Sequence, residues 1–184
     1  VSYQVNTAIS KGETVHVEGT QGTYISLYHG TYPYVTSKDV TASAICADVG
    51  IGPKAVDEVI VVFKAYVTRV GAGELPGELT EQEAEKRGWL ERATVTGRTR
   101  RSAPFNYQLA KRAVMLNSAT QIAVTKFDIL FPAAKAAKEF SSLPPEAKKM
   151  VEKIEDETKT PVSIISTGAD TEATIDRRKE LGLL

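Results

Sequence analysis

The sequence predicts an α/β domain, a mostly parallel sheet flanked by helices, and three observations carry that expectation. Runs rich in Val, Ile and Thr at residues 14–18, 58–70, 121–126 and 162–165 alternate with segments of helical periodicity. The longest run, residues 58–70, is apolar on successive residues, as expected of a central parallel strand covered on both faces. Each run opens into glycine, hydroxyl or amide residues, and in open α/β sheets such strand ends are where ligands bind.

Taken in order, Val1, Val5, Ala8 and Ile9 fall on one helical face, and Gly12 is placed to end that helix before the strand at residues 14–18. Asp39 is a cap for a short helix through Ala47, in which Ala42, Ser43, Ala44 and Ala47 permit close packing and Cys46 reads as a small buried hydrophobe. The long strand at 58–70 ends in Gly71-Ala72-Gly73, a strand-end turn. Thr80 and Glu83 spell a capping box for a short helix that stops near Gly88. Residues 93–101 are polar and basic, and Asn106 then caps a helix with Leu109, Ala113 and Leu116 on one face. The strand at 121–126 leads into Phe127-Asp128, Pro144 and Pro145 start a helix that buries Ala147, Val151 and Ile154, and the strand at 162–165 opens into residues 166–170. A short helix and a basic tail are expected to complete the chain.

With 184 residues and 42% hydrophobic content the chain can bury the core of one domain, and no internal repeat asks for more. Its 23 basic residues balance 23 acidic ones, so the whole molecule offers no field that recruits nucleic acid or an anionic membrane. Cys46 is the single cysteine and cannot form an internal disulfide, and no leader or membrane-length apolar run is visible; a cytoplasmic setting fits. A start at Val1, directly on a helical pattern and without methionine, suits a fragment or a partly observed protein.

Three constellations can carry chemistry. In the first, the amide of Gln21 offers paired donor and acceptor groups and the hydroxyl of Thr36 can bond a phosphate oxygen; the alternative is that both satisfy loop backbone. In the second, Thr94-Val95-Thr96-Gly97-Arg98-Thr99-Arg100-Arg101 joins a glycine-bearing loop to three guanidinium forks suited to carboxylate or phosphate, against the alternative of a solvated basic loop. In the third, Thr125-Lys126-Phe127-Asp128 has the spacing of a guanine-reading motif. A carboxylate there accepts both guanine N1–H and its exocyclic amine while a lysine stem lies along the base, though the same letters also suit a plain strand end with a helix cap.

The order Glu18-Gly19-Thr20-Gln21-Gly22-Thr23, then His29-Gly30-Thr31-Tyr32-Pro33-Tyr34-Val35-Thr36-Ser37, closely resembles the adenylosuccinate synthetase family, in its compact archaeal form. The resemblance runs from the first residues to about Arg178 and covers the carboxy-terminal half of that family's single domain, itself part of a phosphate-loop-related nucleotide-binding fold. What it implies is a GTP- and Mg2+-dependent ligation of IMP with L-aspartate to adenylosuccinate, in the AMP branch of purine biosynthesis, by a homodimer. The phosphate loop, the metal ligands, the catalytic base and acid, and an arginine donated across the dimer would lie outside this chain, which alone is expected to be inactive.

By the same resemblance, Gln21, Thr36, Val70, Gly71 and Arg98 are IMP-binding positions, and Thr94, Val95, Thr96, Gly97, Arg98 and Arg100 are aspartate-binding. Arg100, Lys126, Asp128, Ser166 and Gly168 are GTP-binding positions, while Arg101 is placed outside the clamp and His29 is a structural hydrogen-bonder. Val95, Thr99 and Ala169 depart from the family's usual threonine, arginine and proline. Two other readings stand beside this one: a non-catalytic nucleotide-binding subunit, and a fragment of another GTPase family.

Overall fold

The computed structural model describes residues 1–94 and 97–184. In chain order it contains α1 (Ser2–Ser10), α2 (Ala42–Val49), β1 (Ile60–Lys64), β2 (Tyr66–Arg69), α3 (Glu81–Lys86), β3 (Glu91–Arg92) and β4 (Thr99–Pro104). There follow α4 (Tyr107–Asn117), β5 (Gln121–Thr125), α5 (Phe127–Leu130), α6 (Pro145–Thr158), β6 (Val162–Ser166) and β7 (Thr174–Asp176).

β5 is the strand the core forms around. Its neighbours β1 and β6 both run parallel to it, β7 pairs antiparallel with β6, and the order across the sheet is β1-β5-β6-β7. Ile122, Val124, Val162 and Ile165 are fully buried, together with Val151 and Ile154 from α6. At about 1.5–3 kcal/mol for each such side chain, this layer is the main apolar contribution to the fold. The helices that cover it start where their sequences say. Asn106 Oδ1 accepts from Leu109 N at 3.0 Å, and Pro145 opens α6 behind Pro144. The Thr80–Glu83 capping box is complete in both directions at the start of α3. Helix α4 buries Ala110, Ala113 and Val114, so its inward face lies slightly off the predicted Leu109–Ala113–Leu116 line.

The largest departure from expectation is the run at 58–70. It is not one central strand: it breaks at Ala65 into β1, on the edge of the parallel sheet, and β2, in a separate antiparallel sheet ordered β2-β4-β3. Two charged groups inside the run explain the break. Lys64 and Arg69 need polar partners that a doubly covered strand cannot supply, so after Lys64 the chain turns out of the first sheet. As an edge strand β1 leaves Ile60 40% and Val62 64% exposed. Residues 99–104, read as part of a basic loop and its continuation, form the middle strand of the second sheet.

Other corrections are smaller. Residues 14–18 lie outside any strand, since β-branched composition favours extended backbone but a strand also needs a ladder, and Val17 is 38% exposed. Asp39 does not cap α2, whose N-cap position is Thr41; the first free N–H, that of Ala42, bonds instead to Asn117 Oδ1 at 2.8 Å. Cys46 is half-buried. The short helix expected after residue 170 is the strand β7, held by Arg177, whose guanidinium bonds Glu155 and the Val162 carbonyl, each at 2.9 Å, over the Phe140 ring.

Candidate functional site

Three neighbouring strand ends meet at one edge of the parallel sheet. Lys64 closes β1 opposite Thr125, the last residue of β5, and Val124 pairs with Ile165 so that the β6 end at Ser166 lies beside it. Lys126 follows in the left-handed region at φ 66°, and Asp128 stands in the first turn of α5. At the adjoining end Ser166 Oγ donates to the Gly168 carbonyl at 2.9 Å, and Ala136 N donates to the Thr167 carbonyl at 3.0 Å, which ties this turn to the segment after α5. The sheet therefore brings Lys126, Asp128, Ser166 and Gly168 to one carboxyl edge.

Left-handed non-glycine residues occur at two of the candidate positions. Five occur in the described chain; Ser118 and Lys159 end helices, which accounts for them. The remaining three are Gln21, Lys126 and Ala136, two of them candidate ligand positions and the third bonded to the 166–168 turn. Each carries a conformational cost of about 1 kcal/mol or more, which surrounding structure must offset.

Beside the strand ends sits a charged cluster that joins the two sheets. Glu91 of β3 accepts from Lys64 Nζ at 2.7 Å through one oxygen and from the Tyr66 hydroxyl at 2.7 Å through the other, and Arg100 Nε lies 3.7 Å away. Lys64 also donates to Thr68 Oγ1 at 2.7 Å, and the buried Tyr66 ring stacks on Trp89 at 4.8 Å. Burial pushes the Lys64 ammonium below its ordinary value, against the pull of Glu91 and with the help of the Arg100 and Lys126 charges. Burial would raise Glu91, but the bonds from Lys64 and Tyr66 outweigh it and hold the carboxyl low. Tyr66 is pushed well up by burial, by its bond to Glu91 and by the Glu91 and Asp128 charges.

The loop that carries Gln21 and Thr36 is organised from within. Asp39 accepts from Ser26 Oγ at 2.6 Å, Thr41 Oγ1 at 2.7 Å and Val40 N at 2.8 Å; burial opposes its charge, but these bonds hold its carboxyl below the usual aspartate value. His29 Nε2 lies 4.0 Å from the same carboxylate, and the His29 backbone N–H donates to Ser26 Oγ at 3.2 Å. Gly30 is required where it is: a Cβ there would fall onto the Ser26 carbonyl oxygen and within 2.8 Å of the Tyr24 carbonyl oxygen. Thr36 is half-buried, its N–H bonded to the Ile25 carbonyl at 2.7 Å, and Gln21 is exposed.

Arg69 joins that loop to the turn after β2. Its guanidinium donates to Thr31 Oγ1 and the Tyr34 carbonyl, each at 2.8 Å, and to the Ala72 and Glu74 carbonyls at 3.0 and 2.9 Å, so Val70 and Gly71 are fixed beside the 31–36 loop. Arg101 completes the brace with bonds to Glu78 and to the Gly71 and Gly73 carbonyls, the latter at 2.7 and 2.9 Å. Arg98 and Thr94 lie apart on the exposed hairpin between β3 and β4, closed by Ala93 N to the Arg98 carbonyl at 2.9 Å with Gly97 at φ 64°. Val95 and Thr96 lie outside the described residues.

Reading by motif missed Lys64, Tyr66, Arg69 and Glu91. A signal was present: two cations within an otherwise apolar β-branched run are evidence that the run is neither one strand nor fully covered.

A parallel sheet with polar strand-end turns, a lysine and an aspartate with one residue between them at the end of β5, and a basic hairpin alongside define an α/β protein whose candidate ligand site lies at its strand ends. Comparison with known proteins narrows the class. The family model described as adenylosuccinate synthetase matches residues 1–135. The adenylosuccinate synthetase of Methanocaldococcus jannaschii is 55% identical over 181 residues, 98% of this chain and 52% of that protein. That of Archaeoglobus fulgidus is 51% identical over 180 residues, covering 98% and 53%. The solved structure of fully ligated adenylosuccinate synthetase from Plasmodium falciparum superposes with a TM-score of 0.88 at 25% identity, covering 95% of this chain and 53% of that one. A cyanophage S-2L succinoaminodeoxyadenylate synthetase shares the fold, with a TM-score of 0.70 at 23% identity over 99% of this chain and 52% of that one. The chain belongs to the adenylosuccinate synthetase family, which sets aside the reading as a fragment of another GTPase family. It spans about half the length of the curated relatives it matches.

Proposed function

We propose that this chain is the carboxy-terminal half of a single adenylosuccinate synthetase domain and supplies the binding elements for a GTP-dependent ligation of IMP and L-aspartate. The observation that carries the reading is the convergence of Lys126, Asp128, Ser166 and Gly168 at one sheet edge, with Arg100 beside them through Glu91. Asp128 accepts the guanine N1–H and exocyclic amine while the Lys126 stem covers the base. Gln21, Thr36, Val70 and Gly71 hold IMP, and Arg98 bridges IMP and aspartate from the hairpin. Thr94, Val95, Thr96, Gly97 and Arg100 complete the aspartate pocket, with Arg100 shared with the GTP site. The ligation is a phosphorylation of the purine 6-oxygen followed by displacement of phosphate by the aspartate amine, carried out by a cytoplasmic homodimer.

Magnesium belongs to the proposed reaction, but among the described residues no group of three or more His, Cys, Asp or Glu side chains is placed to hold a metal ion. By the family resemblance, its ligands and the base and acid are assigned to the remaining half of the protein. Among the described residues no helix is long and apolar enough to cross a membrane. The reading is tested by incubating the 184-residue chain, verified by intact mass, with IMP, aspartate, GTP and magnesium, beside the full-length protein. Adenylosuccinate from the full-length protein alone is expected; turnover by the isolated chain would overturn the division of labour.

A further inference from the structure

Of the cluster around Glu91, only Arg100 is absorbed by the ligand assignments above, and Glu91, Lys64 and Tyr66 are left without a role. A single carboxylate is shared by side chains from three strands at the joint between the sheets: Lys64 from β1, Tyr66 from β2 and Arg100 from β4. Two of the contacts are short and direct, at 2.7 Å each, and they use both oxygens, so the carboxylate plane is fixed. Tyr66 cannot follow a movement of Glu91, because its ring is 1% exposed and stacked flat on Trp89 with an interplanar angle of 8°. The third contact, to Arg100 Nε at 3.7 Å, is longer than a hydrogen bond and is a charge attraction to the Nε side of the guanidinium. The cluster also borders the end of β5, since Lys64 pairs with Thr125 and the Ala65 N–H donates to the Thr125 carbonyl at 2.8 Å.

We propose that Glu91 is a positioning residue for Arg100: a carboxylate immobilised by Lys64 and Tyr66 that aims the Arg100 guanidinium across the end of β5 and so couples the basic hairpin to the nucleotide site. The inference rests on the reading that Arg100 contacts GTP and aspartate. An arginine on a hairpin has many rotamers, and ordering one side chain of this kind on binding costs about 0.5–1.5 kcal/mol. A fixed anion behind Nε leaves the two Nη groups for the ligand and removes part of that ordering cost before the ligand arrives. A glutamine at position 91 keeps an oxygen for one of its two donors but cannot attract the guanidinium.

The test is a double-mutant cycle in the full-length protein, read as kcat and KM for GTP and for aspartate. Glu91→Gln is expected to raise both KM values, with a loss of about tenfold in kcat/KM. In an Arg100→Ala background the same change is expected to have no further effect, because Glu91 acts through Arg100. Tyr66→Phe removes one of the two clamps while leaving the ring on Trp89, and is expected to give a smaller loss that also vanishes with Arg100→Ala. If Glu91→Gln proves unstable, Tyr66→Phe carries the cycle alone. Losses that add to that of Arg100→Ala, in either variant, would mean that the cluster only holds the sheets together and would overturn the proposal, leaving the assignment of Arg100 intact. Unchanged GTP and aspartate kinetics in Arg100→Ala itself would remove both the assignment and the proposal.

Discussion

Ile122, Val124, Val162 and Ile165, which carry the turns at 126–128 and 166–168, are sealed from solvent, whereas the antiparallel arm that carries Arg98 and Arg100 is anchored through Glu91, Glu78 and the backbone of the 71–73 turn. The first region is built by apolar burial between parallel strands; the second adds to the buried Tyr66–Trp89 stack a set of charged and polar ties between antiparallel strands. The difference teaches where rigidity and adaptability lie. A base is flat and constant in shape, and a packed sheet edge suits it. In the proposed reading the aspartate site lies on the hairpin, where Arg98 is exposed while Arg100 faces the fixed carboxylate of Glu91. Mutations should therefore separate the regions, changing stability in one and kinetics in the other.

The largest effect on stability is expected in the sheet. Ile165→Ala should lower the unfolding free energy of the full-length protein by about 2–5 kcal/mol, while Arg98→Ala should stay within about 0.5 kcal/mol. Denaturant unfolding of both variants checks this, and equal losses would erase the distinction between the regions.

Kinetics should show the reverse order. Arg98→Lys in the full-length protein should reduce kcat/KM for aspartate by about tenfold to a hundredfold although charge is kept, because a planar fork can bridge a carboxylate and a ribose or phosphate oxygen and an ammonium on a flexible stem cannot. GTP binding alone should change little. Arg101, placed outside the clamp from sequence, is unsuitable as a neutral control, since its guanidinium braces the Gly71 and Gly73 carbonyls. Arg112→Lys, on the exposed face of α4, takes that place and should leave the kinetics unaltered.

The smallest effect concerns the Thr36 loop, which resembles the arm in being held by polar contacts. Asp39 has its carboxyl held low by Ser26, Thr41 and Val40, against the opposing effect of burial, so the stability it contributes is present above the ordinary aspartate value and is lost as pH falls through and below that value. Asp39→Asn should therefore lower the thermal midpoint at pH 7 by a few degrees at most, and the gap to the parent should narrow below about pH 4. A gap that is constant from pH 7 to pH 3 would show that the charge of Asp39 is not what orders the loop.

What could be read in the sequence was what local chemistry determines. The Thr80–Glu83 box, the Asn106 cap and the Pro144-Pro145 start all depend on residues within four positions of one another, and each formed as expected. The fate of residues 58–70 depends on partners far away, Gln121–Thr125 for β1 and Thr99–Pro104 for β2, and periodicity alone could not choose between one strand and two. The same holds for Asp39, whose role was taken from helix α2 by Asn117, distant in sequence. Candidate ligand positions could be named because they lie in continuous motifs that resemble the family's. The supporting groups Lys64, Arg69 and Glu91 could not, because their partners come from other strands and loops.

The central claim is that the end of β5 reads a guanine base through Asp128, and base preference in the full-length protein tests it most directly. Asp128→Asn replaces one acceptor by a donor, so the amide can accept from N1–H and donate to the 2-oxygen of xanthine but can no longer accept the guanine amine. With IMP and aspartate saturating, and GTP competing against xanthosine triphosphate, the account predicts that the variant loses GTP use and gains xanthosine triphosphate use, reversing the parent's preference. An unchanged preference for GTP in the folded variant would contradict it and leave residues 125–128 as no more than a strand end followed by a helix.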